Sequence, residues 1–401
     1  MHGDFIQSIM NAMEKEMKDI GHVNIIVAGK TGVGKSTLIN SVFRENLAKT
    51  GIGAPVTNTI KELTKKDFPL RVYDSIGLEL GSERQQQTED DINKVIKDAL
   101  TRGDEDKYIH CIWYCINVNS NRIEPREEEF IDRLARDNEN TGVPVIIVLT
   151  IAHNKSLSQE MKKYIDSLNL NVKGTFIVLA EDYKDEDFHR KAYGGSDLVE
   201  FTSSILPEAA QKAFINAQNA SMKLKRDKAQ TIVGATVLAS FGTGFAPIPF
   251  SDAVILVPTQ VGMIAAITSV YGLNISKSTM TAIIASLAGT SGATVVGKTI
   301  VSGLLKMIPG VGTVVGGMIS GSTAAALTTA LGGAYIAIME MMVKGEISEN
   351  DLKSGKLKDL IKDIFEKKAQ ETSGKESTKD KIMNIVSKPF KKKSPVYLPE
   401  P

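Results

Sequence analysis

One stretch near the N-terminus has the residue types and spacing needed to hold a chain of phosphates. It reads Gly29-Lys30-Thr31-Gly32-Val33-Gly34-Lys35-Ser36 and fits G-x-x-x-x-G-K-[ST] at every fixed position. Glycines let the backbone curl so that successive N–H groups face the phosphates, and a following helix adds the positive end of its dipole. Lys35 is expected to reach the β- and γ-phosphates, and the Ser36 hydroxyl is expected to bind Mg²⁺.

The elements on either side of this stretch are those that a phosphate loop requires. Val23-Asn24-Ile25-Ile26-Val27-Ala28 is apolar and β-branched, which predicts a buried strand. From Thr37 onward the apolar residues recur at helical spacing. Strand, glycine loop and helix in that order predict a nucleotide-binding site in which Thr37 also takes part.

Two further segments are expected on the metal side of this site. Asp74-Ser75-Ile76-Gly77 has the pattern D-x-x-G at the end of an apolar strand. We expect Asp74 to hold Mg²⁺ through water and the Gly77 N–H to sense the γ-phosphate. Residues 47–60 are rich in Gly, Thr and Asn and are interpreted as a loop, in which Thr57 would place its hydroxyl on Mg²⁺ and Thr59 is the alternative.

The residue after Gly77 bears on the rate of hydrolysis. In Ras-like enzymes this position carries a glutamine that orients the attacking water, whereas here it is Leu78. Leucine has no group that can orient water, so slow intrinsic hydrolysis is expected unless another group, such as one from a second protomer, does so. We identify no general base.

Length and composition limit the class of protein. A chain of 401 residues exceeds one ordinary core, so two domains are expected. The formal net charge of +1 argues against a nucleic-acid partner that is bound by bulk electrostatics. Cys111 and Cys115 lie on one predicted strand and cannot supply a disulfide framework, which favours a reducing, cytosolic setting.

The first half continues as strands and helices in alternation. Helices are predicted at 90–100, 124–137 and 161–168, and apolar strands at 108–118, 143–149 and 175–179. This order predicts an α/β fold with a doubly wound, mostly parallel sheet and ligands at the carboxyl ends of the strands.

The second half has a different composition. Residues 231–339 hold four charged side chains, Asp252, Lys277, Lys298 and Lys306, among Gly, Ala, Ser, Thr, Val and Ile. Uncharged runs cover 231–251, 253–276, 278–297 and 307–339, each about as long as the ~20 residues that span a bilayer. An all-α hydrophobic domain is predicted, and two alternatives stay open: membrane-embedded helices, or a bundle of buried helices in water.

The remaining segments complete the domain organisation. Residues 1–21 are predicted to form an amphipathic helix, which we expect to pack against its own domain. Residues 22–205 form the predicted nucleotide domain, 206–230 a linking helix, and 231–345 the apolar helical domain. A second amphipathic helix is expected over 346–369, followed by a disordered basic tail over 370–401.

Residues from about 22 to 205 resemble the Era-like and septin-like P-loop GTPases. The motifs that carry the resemblance are the phosphate loop, the Thr57 region, Asp74 to Gly77, and Ala180 at the expected base-contacting turn. The resemblance implies GTP and Mg²⁺ as ligands, with Thr150, His153 and Ala180 near the base. With Leu78 at the water-orienting position we expect slow GTP hydrolysis, and we expect a homodimer across the nucleotide site.

The base-recognition motif departs from this family. Its usual form is N/T-K-x-D, whereas this chain has Thr150-Ile151-Ala152-His153. Plant chloroplast-import GTPases also have a histidine near this position, so stacking and neighbouring contacts could hold guanine. Alternatively, Asn154 and Lys155 supply the contacts in a shifted register. A third interpretation is relaxed specificity or acceptance of ATP.

Residues 230–345 resemble the YcjF-type domain that follows GTPase domains in many bacterial proteins. The resemblance rests on Pro247 to Ala253, Gln260, Tyr271-Gly272-Leu273 and Ile308-Pro309-Gly310. It implies a bacterial GTPase with an apolar helical module, similar in outline to the immunity-related GTPases of vertebrates. We therefore expect a location at the cytoplasmic face of the membrane or embedded through 231–339, with a soluble cytoplasmic protein as the alternative.

Two hypotheses follow from these observations. In the first, the nucleotide state of a slow GTPase controls a membrane-associated helical domain. In the second, the protein is a nucleotide-gated membrane-inserting or scaffolding protein with little or no hydrolysis.

Overall fold

The chain forms two compact units. The computed structural model describes residues 5–50, 52–75, 83–120, 123–139, 141–186, 188–241, 248–249, 256–287, 318–319 and 321–373. Ile20–Met222 form one unit, called the sheet unit below. Met1–Asp19 and Lys223–Pro401 form the other, called the helical unit.

The elements alternate between strands and helices up to residue 222. In chain order they are α1 (Phe5–Asp19), β1 (Val23–Ala28), α2 (Lys35–Val42), α3 (Leu47–Thr50), β2 (Ile52–Pro55), β3 (Ile60–Thr64), β4 (Leu70–Ser75), α4 (Glu83–Arg102), β5 (Cys111–Asn117), α5 (Pro125–Asp137), β6 (Val145–Thr150), α6 (Lys155–Ser167), β7 (Thr175–Ile177), β8 (Tyr183–Lys184), β9 (His189–Arg190), α7 (Gly195–Ile205) and α8 (Glu208–Ala217).

Seven strands form one sheet in the order β2-β3-β4-β1-β5-β6-β7. The pairs from β4 through β7 are parallel, and β2-β3 and β3-β4 are antiparallel. This arrangement confirms the predicted α/β class with a mostly parallel sheet. The central strands β1, β5 and β6 are almost wholly buried, which explains why their sequences are continuous apolar runs.

Helices cover both faces of this sheet. Successive side chains of a strand point to opposite faces, so Trp113 and Tyr114 of β5 lie in different layers. The Trp113 ring stacks on Phe43 with centroids 5.8 Å apart, and its edge meets Phe214 of α8. On the other face, Tyr114 packs against Phe130 of α5. Both layers are therefore closed by aromatic contacts.

The segment 47–60, interpreted above as a loop, is different in the structure. It contains α3 and the edge strand β2, which pairs with β3 from Ile52↔Thr64 to Pro55↔Lys61. Ala54 and Pro55 are exposed, so β2 has no apolar periodicity that would reveal it. Its backbone bonds to β3 make it a strand, and proline is tolerated because the strand lies at the edge.

The helical unit continues after residue 222. Its described elements are α9 (Met222–Phe241), β10 (Ile248–Pro249), α10 (Leu256–Tyr271), α11 (Lys277–Leu287), β11 (Met318–Ile319), α12 (Gly321–Val343), α13 (Glu349–Lys353) and α14 (Lys358–Ser373). The short strands β10 and β11 pair antiparallel. Helix α1 packs on α10 and α11, and α12 packs on α10 and α14.

Close approach of two helices in this unit depends on a glycine. A Cβ atom on Gly332 of α12 would lie 2.4 Å from Cγ2 of Val233 in α9. Such a distance is far inside van der Waals contact, so a larger residue would separate the two helices. A bidentate ion pair between Arg226 of α9 and Glu340 of α12 joins the same helices, with both N···O distances at 2.6 Å.

Three predicted segments differ from the structure, one in the unit with which it packs and two in their boundaries. Helix α1 packs within the helical unit, not with the strand that follows it. The expected linking helix over 206–230 is two helices, because Gln218 leaves the helix in extended conformation and bridges to Phe43. The expected helix over 346–369 is α13 and α14, separated near Gly355, whose φ is +73°.

One described helix is long and apolar enough to cross a membrane. It covers Ala324–Val343, and 67% of its most apolar window is buried inside the protein. All four uncharged runs are partly described, and α10 and α11 are shorter than a membrane span, at 16 and 11 residues. Residues 288–317 and the tail over 374–401 lie outside the described residues.

Candidate nucleotide site

The carboxyl ends of four neighbouring strands bring the predicted site residues to one edge of the sheet. The register pairs Val27 of β1 with Asp74 of β4, and Asn117 of β5 with Thr150 of β6. Open parallel sheets bind ligands at this edge. The phosphate loop, the acidic residue and the base-side turn therefore converge because of strand order.

The backbone of the phosphate loop depends on its glycines. Gly29, Gly32 and Gly34 have φ of +140°, +77° and +89°, a region that favours glycine. A Cβ atom at Gly29 would lie 2.4 Å from the backbone oxygen of Cys115, so no other residue fits there without movement. The Val33 side chain is buried, while Thr31 and Ser36 are exposed and Thr37 is half-buried.

Lys35 lies under the loop that precedes it. Its ammonium group donates to the backbone oxygens of Gly29 at 2.9 Å and Lys30 at 3.1 Å, and its side chain is 8% exposed. Burial lowers the pKa of Lys35, and the charge of Asp74 opposes that shift. The loop thus curls around one cation, as a site for phosphates requires.

Asp74 is the acidic residue of the site. Its Oδ1 is buried and has no hydrogen-bond donor within the described part of the chain, and the same holds for the neighbouring Ser75 Oγ. Burial raises the pKa of Asp74, while Lys35 and Lys61 oppose the shift. A buried carboxylate oxygen without a donor fits a cation or its bound water. With the Ser36 hydroxyl exposed at the start of α2, the residues suit Mg²⁺.

The two candidate threonines lie in the turn between β2 and β3. Thr57 Oγ1 accepts from the backbone N–H groups of Thr59 at 3.3 Å and Ile60 at 3.1 Å. Thr59 Oγ1 donates to Asp91 of α4 at 2.7 Å. Both hydroxyls are engaged within the turn and α4.

Thr150 fastens the base-side turn to the phosphate loop. Its hydroxyl lies 2.5 Å from the backbone oxygen of Val33 and 3.1 Å from that of Ile116. The side chain is 3% exposed. Thr150 therefore contacts the loop backbone and not the outer surface where a base would lie.

The turn after Thr150 is strained. Ile151 has φ of +54°, which is unusual for a β-branched residue and costs about 1–3 kcal/mol. Its backbone oxygen accepts from His153 N at 2.8 Å and from Asn119 Nδ2 at 3.3 Å. Its side chain lies beside Gly34. The hydrogen bonds to the Ile151 oxygen and the packing of its side chain beside Gly34 hold the residue in this strained conformation.

His153, at the place of the usual aspartate, stacks on Tyr183. The ring centroids are 3.8 Å apart and the planes differ by 18°. Asn154 caps α6 by accepting from Ser156 N and Leu157 N. Lys155 lies over the Tyr193 ring at 5.3 Å. Asn154 therefore caps α6, and the stacked rings of His153 and Tyr183 lie at the expected base side of the site.

Ala180 follows β7 at the same edge of the sheet and is half-buried. The preceding residue, Leu179, bridges to Tyr193, and the Tyr193 hydroxyl donates to the backbone oxygen of Ala152 at 2.8 Å. These bonds hold the Ala180 turn next to the 150–153 turn. Gly77 and Leu78 lie outside the described residues.

Lys30, at the second position of the loop, has a buried partner. Its ammonium group lies 2.8 Å from Glu127 Oε2, and Glu127 also accepts from the Tyr114 hydroxyl at 3.1 Å. The Glu127 side chain is 4% exposed. This ion pair anchors the loop to α5.

Sequence reasoning missed Asp91, Glu127 and Tyr183. The first two lie among many other acidic residues on charged helices, so no local pattern distinguishes them. Tyr183 lies in the β8-β9 hairpin, whose strands are two residues each and too short for a periodic signal.

Two family models match this chain. Residues 24–151 match the family described as 50S ribosome-binding GTPase. Residues 209–370 match the family described as Domain of unknown function (DUF697). The first range contains the phosphate loop and ends at the strained turn, and the second begins in α8 and covers most of the helical unit.

Similar proteins match parts of the chain. Septin-12 of Homo sapiens is 26% identical over 182 residues, which are 39% of this chain and 49% of septin-12. Translocase of chloroplast 108 of Physcomitrium patens is 39% identical over 84 residues, 20% of this chain and 8% of that protein. The chain thus spans about half of septin-12 and a small part of the translocase.

A solved structure is also similar to part of this chain. Toc33 from Arabidopsis thaliana in complex with Mg²⁺ and GMPPNP is 17% identical, with 54% of this chain and 94% of Toc33 covered and a TM-score of 0.29. The first family match lies within the mostly parallel sheet with flanking helices, which has the P-loop GTPase fold, and the second covers most of the helical region that follows.

Proposed function

We propose that this protein binds GTP with Mg²⁺ and hydrolyses it slowly, and that its nucleotide state controls the helical unit. The observation that carries the proposal is the loop geometry around Lys35. Its ammonium group lies 2.9 Å from the Gly29 oxygen, and the loop turns at glycines with positive φ. A buried ammonium held by carbonyl oxygens of a glycine loop, at the start of a helix, is suited to phosphates.

The residues of this chain divide the work of binding. The backbone N–H groups of residues 29–37 would bind the phosphate oxygens, with the start of α2 directed at them. Lys35 would exchange its backbone acceptors for the β- and γ-phosphates. Ser36 and Asp74 would hold Mg²⁺, together with Thr57. Bound Mg²⁺ supplies positive charge that neutralises the phosphate oxygens as negative charge develops.

On the base side, guanine would lie on the surface formed by His153 and Ala180, while the buried Thr150 holds the turn that carries His153. The stacked pair of His153 and Tyr183 offers an aromatic surface. Guanine preference is supported by the match of residues 24–151 to a GTPase family. The Era-like, YcjF-type and bacterial features of the resemblance stay predictions.

Slow turnover and dimer formation are separate parts of the proposal. Leu78 lacks a group that orients water, and a second protomer across the nucleotide site would supply one. Specific activity should then rise with protein concentration. A dilute sample that turns over near the enzyme median of about 10 s⁻¹ would contradict slow hydrolysis.

The helical unit is proposed to associate with a membrane, which would place the protein at a cytoplasmic membrane face. The supporting observation is the apolar helix Ala324–Val343. The alternative of a soluble bundle is favoured by its burial, since 67% of its window is covered by protein. Fractionation of cells with a carbonate wash separates these outcomes: an embedded protein stays in the pellet.

A second candidate function is a nucleotide-gated membrane-inserting or scaffolding protein with little or no hydrolysis. Leu78 at the water-orienting position favours it. Multiple-turnover phosphate release decides between the two, because the second candidate would bind GTP without repeated release.

The test of the binding site is Lys35→Ala. Removing the enclosed ammonium should reduce affinity for fluorescent GTP by at least about a hundredfold, the scale of hydrogen bonds to charged groups. Lys65→Ala is the matched control, because Lys65 is exposed and pairs with Glu45. Wild-type affinity in Lys35→Ala would overturn the proposal.

A further inference from the structure

The turn between β2 and β3 contains a threonine whose acceptor sites are filled. Thr57 Oγ1 accepts two backbone N–H groups, from Thr59 at 3.3 Å and Ile60 at 3.1 Å. A hydroxyl oxygen has two acceptor sites, so both are used. Thr57 can bind a metal only after one of these bonds breaks.

Asp91 is the residue that holds this turn. It lies on α4, is 5% exposed, and its Oδ2 accepts from Thr59 Oγ1 at 2.7 Å and Thr59 N at 3.2 Å. Its Oδ1 accepts from Gln87 Nε2 at 3.0 Å. Burial raises the pKa of Asp91, but its hydrogen bonds, among them those from Thr59 and Gln87, outweigh burial and the net pKa is lowered.

We propose that Asp91 is a positioning residue that fixes the 56–59 turn in a conformation unable to present Thr57 to a metal. The turn must leave Asp91 before Thr57 can bind Mg²⁺ beside a γ-phosphate. Asp91 therefore sets how strongly the protein prefers a nucleoside triphosphate over a diphosphate. This inference rests on the proposed function, because it takes the GTP and Mg²⁺ site as given.

The physical reason is that the 56–59 turn can either contact Asp91 or present Thr57 to Mg²⁺, and the two arrangements exclude each other. A diphosphate does not require Thr57, so the Asp91 contacts persist when it is bound. A triphosphate with Mg²⁺ gains a ligand only by breaking them. The contacts are thus present in one state and lost in the other, and only such differences shift an equilibrium.

The experiment measures the affinities of GTPγS and GDP, with and without Mg²⁺, for wild type and Asp91→Ala. We expect the ratio of GTPγS to GDP affinity to rise about tenfold, the scale of one to two hydrogen bonds, and only with Mg²⁺ present. The ratio corrects for any general loss of folding, because a partly unfolded sample would bind both nucleotides less.

Asp90→Ala is the matched control. Asp90 is the preceding residue on α4, has the same charge, is exposed, and accepts from Gln86 of the same helix. Its substitution should leave the ratio unchanged. In a Thr57→Ala background, the effect of Asp91→Ala should disappear, because the ligand that it releases is gone.

Thr59→Val tests the other threonine. It removes the donor to Asp91 Oδ2 and keeps the backbone N–H, so the ratio should rise as in Asp91→Ala. A fall in the ratio would mean that Thr59 is the metal ligand, and an unchanged ratio in Asp91→Ala would mean that the contact is structural. Either result overturns the inference. If wild type binds neither nucleotide, the proposed function fails instead.

Discussion

The hydroxyl of Thr150 lies 2.5 Å from the backbone oxygen of Val33, so the end of β6 is bonded to the middle of the phosphate loop. A second bond of 3.1 Å reaches the backbone oxygen of Ile116 in β5. One side chain therefore ties the loop to the two strands beside it. The 150–153 turn and the phosphate loop are thus joined by a direct hydrogen bond.

Substitution of Thr150 tests this link. Thr150→Val keeps the shape and removes the one O–H that the Val33 and Ile116 oxygens share, which should lower the free energy of unfolding of the sheet unit by about 1–3 kcal/mol. Nucleotide affinity should fall as well. Thr150→Ser keeps the hydroxyl and is the control. Urea unfolding and fluorescent GTP titration provide the two measurements, and equal behaviour of both variants would contradict the role.

Asp74 should reduce the stability of the nucleotide-free protein at neutral pH. Its pKa in the fold is raised by burial, so the unfolded chain releases this proton at lower pH. Stability is then lost as pH rises through the window between the two pKa values. Asp74→Asn mimics the protonated carboxyl, and we expect a higher melting temperature at neutral pH and a difference that shrinks in acid.

The same variant should bind GTP with weaker dependence on Mg²⁺, because it removes the proposed metal-side carboxylate. Asp67→Asn is a suitable control, since Asp67 is exposed in the turn between β3 and β4. A lower melting temperature of Asp74→Asn at neutral pH would contradict the sign of the pKa argument.

Discrimination between guanine and adenine nucleotides should be weak. An aspartate accepts from two guanine donors, and His153 cannot reproduce that pair of acceptors. One unmatched hydrogen-bond pair costs about 1–3 kcal/mol, so GTP should be preferred over ATP by about ten- to a hundredfold. His153→Asp alone should not restore full discrimination while Ile151 remains. Competition binding of GTP, ATP and XTP measures this, and a preference for ATP would exclude the GTPase interpretation.

The Tyr183 ring forms part of the proposed base-binding surface together with His153. Tyr183→Ala removes the stack on His153 and should lower GTP affinity, by about tenfold if one stacking contact is lost. Tyr183→Phe is the matched control because it keeps the ring and loses only the bond from its hydroxyl to Asp185. Equal losses in the two variants would show that stacking is not the cause.

The ion pair between Arg226 and Glu340 should stabilise the helical unit. Glu340 is nearly buried and also accepts from the Tyr271 hydroxyl at 3.2 Å, whereas Arg226 is 43% exposed. Arg226→Ala leaves the carboxylate without its main partner and should cost about 1–3 kcal/mol, reduced by solvent at the arginine. Arg226→Lys loses the bidentate geometry and should cost less. Hydrogen exchange of peptides within 321–343 reports the loss locally.

The phosphate loop, the parallel strands and the apolar character of the second half were predictable because each has a local cause. Glycine at 29, 32 and 34 meets a need for positive φ, and buried strands such as β6 are continuous apolar runs. These signals lie within a few residues of one another. The rule that ligands bind where parallel strands end then predicts that the site lies at the carboxyl edge of the sheet.

The remaining features were decided by contacts between residues far apart in the chain. Asp91 acquires its role only because α4 packs beside the turn that holds Thr57, and Tyr183 only because a short hairpin returns to His153. Helix α1 precedes β1 by three residues yet packs with α10. An amphipathic stripe or a single acidic residue indicates that the side chains need a packing or hydrogen-bond partner. Only the tertiary structure determines which residues that partner is made of.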